Sequence, residues 1–233
     1  MNLVPISTPP ILERTTYHYC IEFNWQEYED EFFSTRGIPL SPDLREEVPK
    51  KKAHFLGGRY CAHKALSMMK GDDQPPSPLA KDQEGAPLWP PGVVGSITHT
   101  ENFMGAVVAD QNTLKGIGID TEKILGPQSL NMVESLVATD KEKRMSFSHD
   151  PFEYFTLIYS AKESIFKCLH PIIKVHFEFY DVNIDHVDFE KGTFHFTLLK
   201  TLSEEFEEGM SYQGRFSLDS NKEKLHTAFE LLS

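Results

Sequence analysis

Lys115-Gly116-Ile117-Gly118-Ile119-Asp120-Thr121-Glu122 sets two carboxylates two residues apart in a stretch that reads as a β-strand. Side chains two apart on a strand share a face. Asp120 and Glu122 therefore point one way, and Ile117 and Ile119 fill the other. Adjacent carboxylates repel unless a proton or a cation lies between them. A hard divalent ion such as Mg²⁺ suits them, because it takes oxygen ligands and leaves positions for water or phosphate. An Asp-x-Glu near a strand end is also common without a metal, so the residues around it decide. Glu163 and Lys167 are four apart in a helical pattern and share a face; on their own they would read as a plain surface pair. Arg59 and Lys51 lie about two helical turns apart, so both can project to one place. The competing reading of Lys50-Lys51-Lys52 is a solvated face.

Periodicity gives the elements that must position these groups. A helix is expected from Pro42 to Met69, capped by Ser41, with Pro42 at its first position and an interruption at Pro49. Phe55, Ala62, Ala65, Leu66 and Met69 make one apolar stripe along it. Gly57-Gly58 costs a helix about 1 kcal/mol per residue against alanine, and close approach by another backbone or a ligand would explain it. Gly71 to Pro91 reads as a loop, with a turn at 81–87 and a packed rim at Trp89-Pro90. Strands are expected at Val93–Thr100, where Ser96 and Thr98 share a face, and at Phe103–Ala109. The chain then turns at 110–112 and re-enters as the 115–122 strand, a hairpin suited to packing against the Arg59 helix. A helix at 128–138 is followed by a mobile stretch to 150. Phe155, Ile158, Tyr159, Lys162, Ile165, Phe166 and Leu169 step at three and four, a helix that Pro171 stops. Strands are expected at 175–184, 193–199, 211–218 and 224–231. Residues 1–35 read as irregular, apart from a strand at the loosely alternating His18–Phe23 and a short amphipathic segment at Trp25–Phe33. Each half of the chain thus carries a helix, strands and a polar junction.

Composition narrows the function. With 233 residues, 39% hydrophobic and 12% aromatic, the chain can bury a core and is not broadly disordered. A net charge of −12 argues against a general nucleic-acid binder, though not against a local basic pocket. Cys20, Cys61 and Cys168 form no C-x-x-C pair, so neither a disulfide framework nor a structural zinc site is expected. They are expected as reduced, partly buried thiols in a cytoplasmic protein. No charged-then-apolar leader opens the chain, and no apolar run approaches the ~18 residues of a membrane span.

Five motifs in order carry a resemblance. They are Gly58-Arg59 with Ala62 and Ala65-Leu66; Gly85-Ala86-Pro87-Leu88-Trp89-Pro90; Gly95-Ser96-Ile97-Thr98-His99-Thr100; Gly118-Ile119-Asp120-Thr121-Glu122; and Tyr159-Ser160-Ala161-Lys162-Glu163-Ser164 with Lys167. Across about residues 50–170 the chain resembles the 4'-phosphopantetheinyl transferases of the surfactin-synthetase-activating type, on the branch similar to enterobactin synthetase component D. The resemblance implies an α/β (α+β) fold: two similar α/β halves related by a pseudo-twofold, the active site in the cleft between them. Residues 1–114 would be the coenzyme A-binding half and 115–233 the metal-binding half. It implies transfer of the phosphopantetheine arm of coenzyme A to a serine of an apo carrier protein, with release of adenosine 3',5'-bisphosphate. It implies Mg²⁺ on Asp120, Glu122 and Glu163, Glu163 taking the serine's proton, and Lys162 and Lys167 at the pyrophosphate. Lys51, Arg59, Lys81 and Ser96 would hold coenzyme A, and Thr98 and His99 its nucleotide end, against the plainer reading of His99 as a satisfied core histidine. The chain departs from the pattern at Glu84, where relatives often carry a basic residue, with Lys81 three positions earlier. It departs again where the helix motif lacks Trp, leaving Tyr159 or Phe155 to pack there. A monomer working in siderophore or other nonribosomal peptide synthesis is expected, with polyketide or fatty-acid carriers as the alternatives. The rivals are a non-catalytic coenzyme A- or carrier-binding module and a metal-dependent phosphohydrolase.

Overall fold

A computed structural model describes residues 1–71, 78–82 and 85–233. The Glu84 position therefore lies outside the described residues, as does 72–77 of the expected loop. The chain divides into two compact units. One holds Met1–Thr8, Arg14–Lys115 and Ser233; the other holds Pro9–Glu13 and Gly116–Leu232.

In the first unit, β1 (Leu3–Ile6), β2 (Tyr17–Phe23), β3 (Val93–Thr100) and β4 (Phe103–Asp110) form an antiparallel sheet in the order β1-β2-β4-β3. β2 falls on the strand expected at His18–Phe23, whereas β1 lies in a stretch expected to be irregular. Short helices α1 (Glu31–Thr35) and α2 (Pro42–Arg45) lead into the long α3 (Pro49–Lys70). Pro49 begins this helix instead of interrupting one. At the first helical position its missing N–H would have had no intrahelical acceptor. Ser41 precedes α2 with no side-chain capping bond. The α3 face carrying Ala53, Leu56, Cys61 and Ala62 packs on Ile21, Phe23, Met104 and Ala106 of the sheet. A Cβ on Gly57 would stand 3.0 Å from Met104 Cγ, and one on Gly58 3.0 Å from Ile97 Cγ2. The two glycines let helix and sheet close together, which offsets their helix cost.

In the second unit, β5 (Leu114–Lys123) does not complete the expected hairpin. It lies at the edge of a five-stranded sheet, beside the last strand, in the order β5-β9-β8-β7-β6. Between come α4 (Pro127–Leu136), α5 (Asp140–Met145), α6 (Pro151–Ile173), β6 (Val182–Asp188), β7 (Thr193–Leu198), β8 (Ser211–Leu218) and β9 (Lys224–Leu232). The stretch expected to be mobile is ordered by a capping box, in which the Thr139 side chain and Glu142 bond each other's backbone N–H. Pro171 sits inside α6, which runs on to Ile173; the bond it lacks falls in the last turn, where the loss is least. The strand expected at 175–184 begins only at Val182, after a 3-10 turn at Phe179–Asp181. Tyr154, Leu157, Ile158, Ala161 and Ile165 of α6 meet Ile184, Phe194, Phe196 and Phe229 in a single core. All three cysteines are free and buried. No helix among the described residues is long and apolar enough to cross a membrane.

Candidate functional site

The second unit holds an acidic site where β5 meets α6. Gly116 and Gly118 let the helix lie directly on the strand: a Cβ on Gly116 would stand 2.9 Å from Cys168 O, and one on Gly118 would collide with Ser164 O. Two residues beyond Gly118 on the same face is Asp120, which is 3% exposed. Its Oδ1 accepts from Lys167 Nζ at 2.6 Å, and its Oδ2 accepts from Ser160 Oγ at 2.8 Å. Ser160 and Lys167 are two turns apart, so one face of α6 supplies both donors. Glu163 lies between them.

The charges do not balance. Burial pushes the Glu122 carboxyl up to about 8; Asp120 and Glu163 push the same way, while Lys167 opposes. Burial also raises Glu163, with Lys167 opposing and Asp120 adding to the rise. The Tyr159 phenol is held above its usual range by burial, then by Glu163, Glu122 and Asp120. Three carboxyl groups thus share one ammonium, and a proton or a cation must make up the difference. Every donor of the trio is oxygen, which with the excess negative charge fits a hard divalent ion. Among the described residues no three His, Cys, Asp or Glu side chains are already gathered as a ligand set, and Lys167 stands on the Asp120 oxygen.

Lys162 departs from the role at the pyrophosphate that the resemblance implies. Its ammonium is buried and donates to Val137 O, Glu142 Oε2 and Phe179 O, each at 2.9 Å. All three of its protons are thereby taken by protein acceptors. Glu142, also fully buried, accepts from the Ile184 and Thr139 N–H groups, both at 2.7 Å. The pair ties α5, α6 and β6 together and leaves no donor for a phosphate.

The first unit holds a basic cavity of 560 Å³, lined by Lys50, Lys51, His54, Phe55, Arg59 and His99 among others. Lys50, Lys51 and Lys52 occupy the first turn of α3, which itself holds no acidic residue; Lys51 pairs with Glu47 and Lys52 with Asp30 from outside the helix. The helix dipole adds partial positive charge at the same end, and Lys50 is the lysine of the three that lines the cavity with no ion pair among the described residues. Arg59 is 4% exposed, with its guanidinium 4.9 Å from the Phe55 ring centre. Its Nε finds no acceptor among the described residues, and burial lowers its pKa to about 10. A buried cation left in this state favours an anionic ligand. His99 is exposed, not a core histidine, and its ring lies 4.8 Å from that of His54. Gly85 and Pro87 of the Gly-Ala-Pro turn also line the cavity.

Strand alternation separates residues that were expected to act together. Ile97 and His99 line the cavity, so Ser96 and Thr98 face the other side of β3, where both are buried. Thr98 is therefore not a cavity residue. Lys51 pairs with Glu47 at 2.5 Å. Lys81 pairs with Asp43, beside a second hollow that Lys51 also lines. Sequence reasoning missed Glu142, although Thr139-x-x-Glu142 has capping-box spacing. It also missed Ser160 as a partner of Asp120, for which the sequence held no signal beyond helical spacing from Lys167.

Residues 41–109 match the model of the 4'-phosphopantetheinyl transferase N-terminal domain, and residues 116–219 that of the 4'-phosphopantetheinyl transferase superfamily. The chain is 34% identical over 187 residues to the 4'-phosphopantetheinyl transferase Svp of Streptomyces mobaraensis, covering 76% of this chain and 74% of that one. It is 32% identical over 154 residues to the 4'-phosphopantetheinyl transferase PptT of Mycobacterium tuberculosis, covering 64% and 63%. It is 36% identical over 132 residues to enterobactin synthase component D of Salmonella typhimurium, covering 56% and 53%.

Proposed function

The chain belongs to the 4'-phosphopantetheinyl transferase superfamily and is an enzyme of that activity, and from this premise we propose how its residues carry the reaction. The arm of coenzyme A passes to a serine hydroxyl of an apo carrier protein, and adenosine 3',5'-bisphosphate leaves. The observation that supports this reading is the acidic trio with its one ammonium, Asp120, Glu122 and Glu163 around Lys167. These carboxylates would hold Mg²⁺, which when bound draws charge from the pyrophosphate. Glu163, its affinity for a proton raised by burial, takes the proton of the incoming serine. Lys167 is freed to meet the developing charge of the leaving bisphosphate. The phosphates of coenzyme A bind the cavity of Arg59, Lys51 and His99, where a buried guanidinium whose Nε has no acceptor among the described residues favours them. Residues 1–114 serve as the coenzyme A half and 115–233 as the metal half.

A siderophore or other nonribosomal peptide carrier is the proposed partner, in keeping with the similarity to enterobactin synthase component D. Met132 and Leu136 stand exposed on α4, at 56% and 62%, and offer an apolar contact for that carrier. Met132→Glu with Leu136→Glu should raise the KM for carrier about tenfold while leaving coenzyme A affinity as it was; an unchanged carrier KM removes this docking site.

Bisphosphate release tests the reaction itself. It should appear only when coenzyme A, Mg²⁺ and an apo carrier are all present. Release without a carrier favours the metal-dependent phosphohydrolase, and coenzyme A binding with no release favours the non-catalytic module.

A further inference from the structure

Asp120 is held from behind by a short chain of hydroxyls. Ser160 Oγ donates to Asp120 Oδ2 at 2.8 Å and lies 2.9 Å from Thr227 Oγ1 on β9. Thr227 Oγ1 also donates to the Ser160 carbonyl oxygen at 2.9 Å. Ser160 and Thr227 are both 0% exposed. Each hydroxyl carries one proton. The Ser160 proton goes to the carboxylate. The Thr227 proton goes to Ser160, whether to its carbonyl or its hydroxyl oxygen. The chain therefore has a single direction, from β9 through α6 to β5, and ends on a carboxylate acceptor. It leaves Asp120 Oδ1 on the side of Lys167 and the other carboxyl groups.

We propose that Ser160, oriented by Thr227, is a positioning residue: it holds Asp120 Oδ2, fixes the plane of the carboxylate and so presents Oδ1 to the metal ion. The proposal rests on the transferase reading and its metal ligands. Buried partners behind a ligating carboxylate set its orientation, and their loss weakens metal binding by about 10- to 100-fold. A purely structural hydroxyl would register in thermal stability and leave metal affinity alone.

The test uses the full metal-free chain, with Mn²⁺ alone as probe, titrated by electron paramagnetic resonance. Ser160→Ala should raise the Mn²⁺ Kd about tenfold. The Mg²⁺ concentration for half-maximal transfer should rise by the same factor, with kcat at saturating Mg²⁺ within about twofold of wild type. Thr227→Val should weaken binding in the same direction, and Thr227→Ser, which keeps the hydroxyl, should restore it. The double variant Ser160→Ala/Thr227→Val should bind no more weakly than Ser160→Ala, because Thr227 acts through Ser160. A folded Ser160→Ala protein with wild-type Mn²⁺ affinity overturns the proposal, as does full additivity in the double variant. If Ser160→Ala does not fold, the Thr227→Val and Thr227→Ser pair decides: equal Mn²⁺ affinities overturn it. Wild type that transfers the arm while Ser160→Ala keeps its affinity refutes the positioning role alone. Wild type without transfer, beside a weakened Ser160→Ala, supports the positioning role and refutes the transferase reading.

Discussion

Lys167 has two roles in this account, and they make opposite demands on it. Its ammonium sits on Asp120 Oδ1 at 2.6 Å, the oxygen that a metal would need. Ammonium and metal therefore compete. Lys167→Met should tighten Mn²⁺ binding by the free protein by at least about threefold, since removing a positive charge from a partly buried site strengthens its hold on another cation. The same variant should lose transfer activity by about 100-fold, because the leaving bisphosphate loses its counter-charge. Titration and turnover measured on one preparation check both; weaker Mn²⁺ binding would mean that the ammonium supports the site instead of occupying it. Much of this cluster was legible in the sequence. Asp120 and Glu122 follow from strand alternation, and Glu163 with Lys167 from helical spacing. Lys162 was misread although its signal was present: it falls inside the apolar stripe of α6, between Ile158 and Ile165, and so enters the core, where the Glu142 carboxylate and two backbone carbonyls receive it.

At the scale of elements, the acidic site depends on how closely β5 and α6 approach. Gly118 faces the α6 backbone at Ser164 with no room for a Cβ. Gly118→Ala should cost about 2–4 kcal/mol, the upper range for overpacking, because backbone and not a flexible side chain stands in the way. Urea denaturation measures it, and a loss below about 1 kcal/mol would show that strand and helix can part without penalty. Periodicity found the long helices and most strands, since their apolar faces repeat at the helix and strand periods. It could not tell which sheet β5 joins, because strand order depends on contacts far apart in sequence. It placed Pro49 inside a helix, whereas Pro49 starts one. The resemblance, not periodicity, grouped Thr98 with His99, although adjacent strand residues face opposite ways.

The molecule as a whole carries a charge of −12 and is assigned a polyanionic substrate. In the proposed reading the substrate's phosphates meet the buried Arg59, so raising the salt concentration should weaken binding less than it would at an open basic surface. Acid acts on the fold through buried histidine. Burial lowers His226 to about 4, and its Nδ1 lies 3.0 Å from Thr121 Oγ1. The unfolded chain takes up this proton near pH 6.5, while the folded chain resists it until about pH 4. The stability is whole above pH 6.5 and is lost as pH falls through that window, by about 1–3 kcal/mol. Denaturation at pH 7 and pH 4.5 should show a smaller loss for His226→Asn than for wild type; equal losses would remove His226 as the source. The most direct measurement of the central claim is the intact mass of an apo peptidyl carrier protein incubated with this protein, coenzyme A and Mg²⁺, beside a chelator control and Glu163→Gln. The account predicts a gain of one phosphopantetheine, absent with chelator and lost or strongly slowed with Glu163→Gln. An unchanged mass across peptidyl and acyl carriers, with coenzyme A bound, would contradict it.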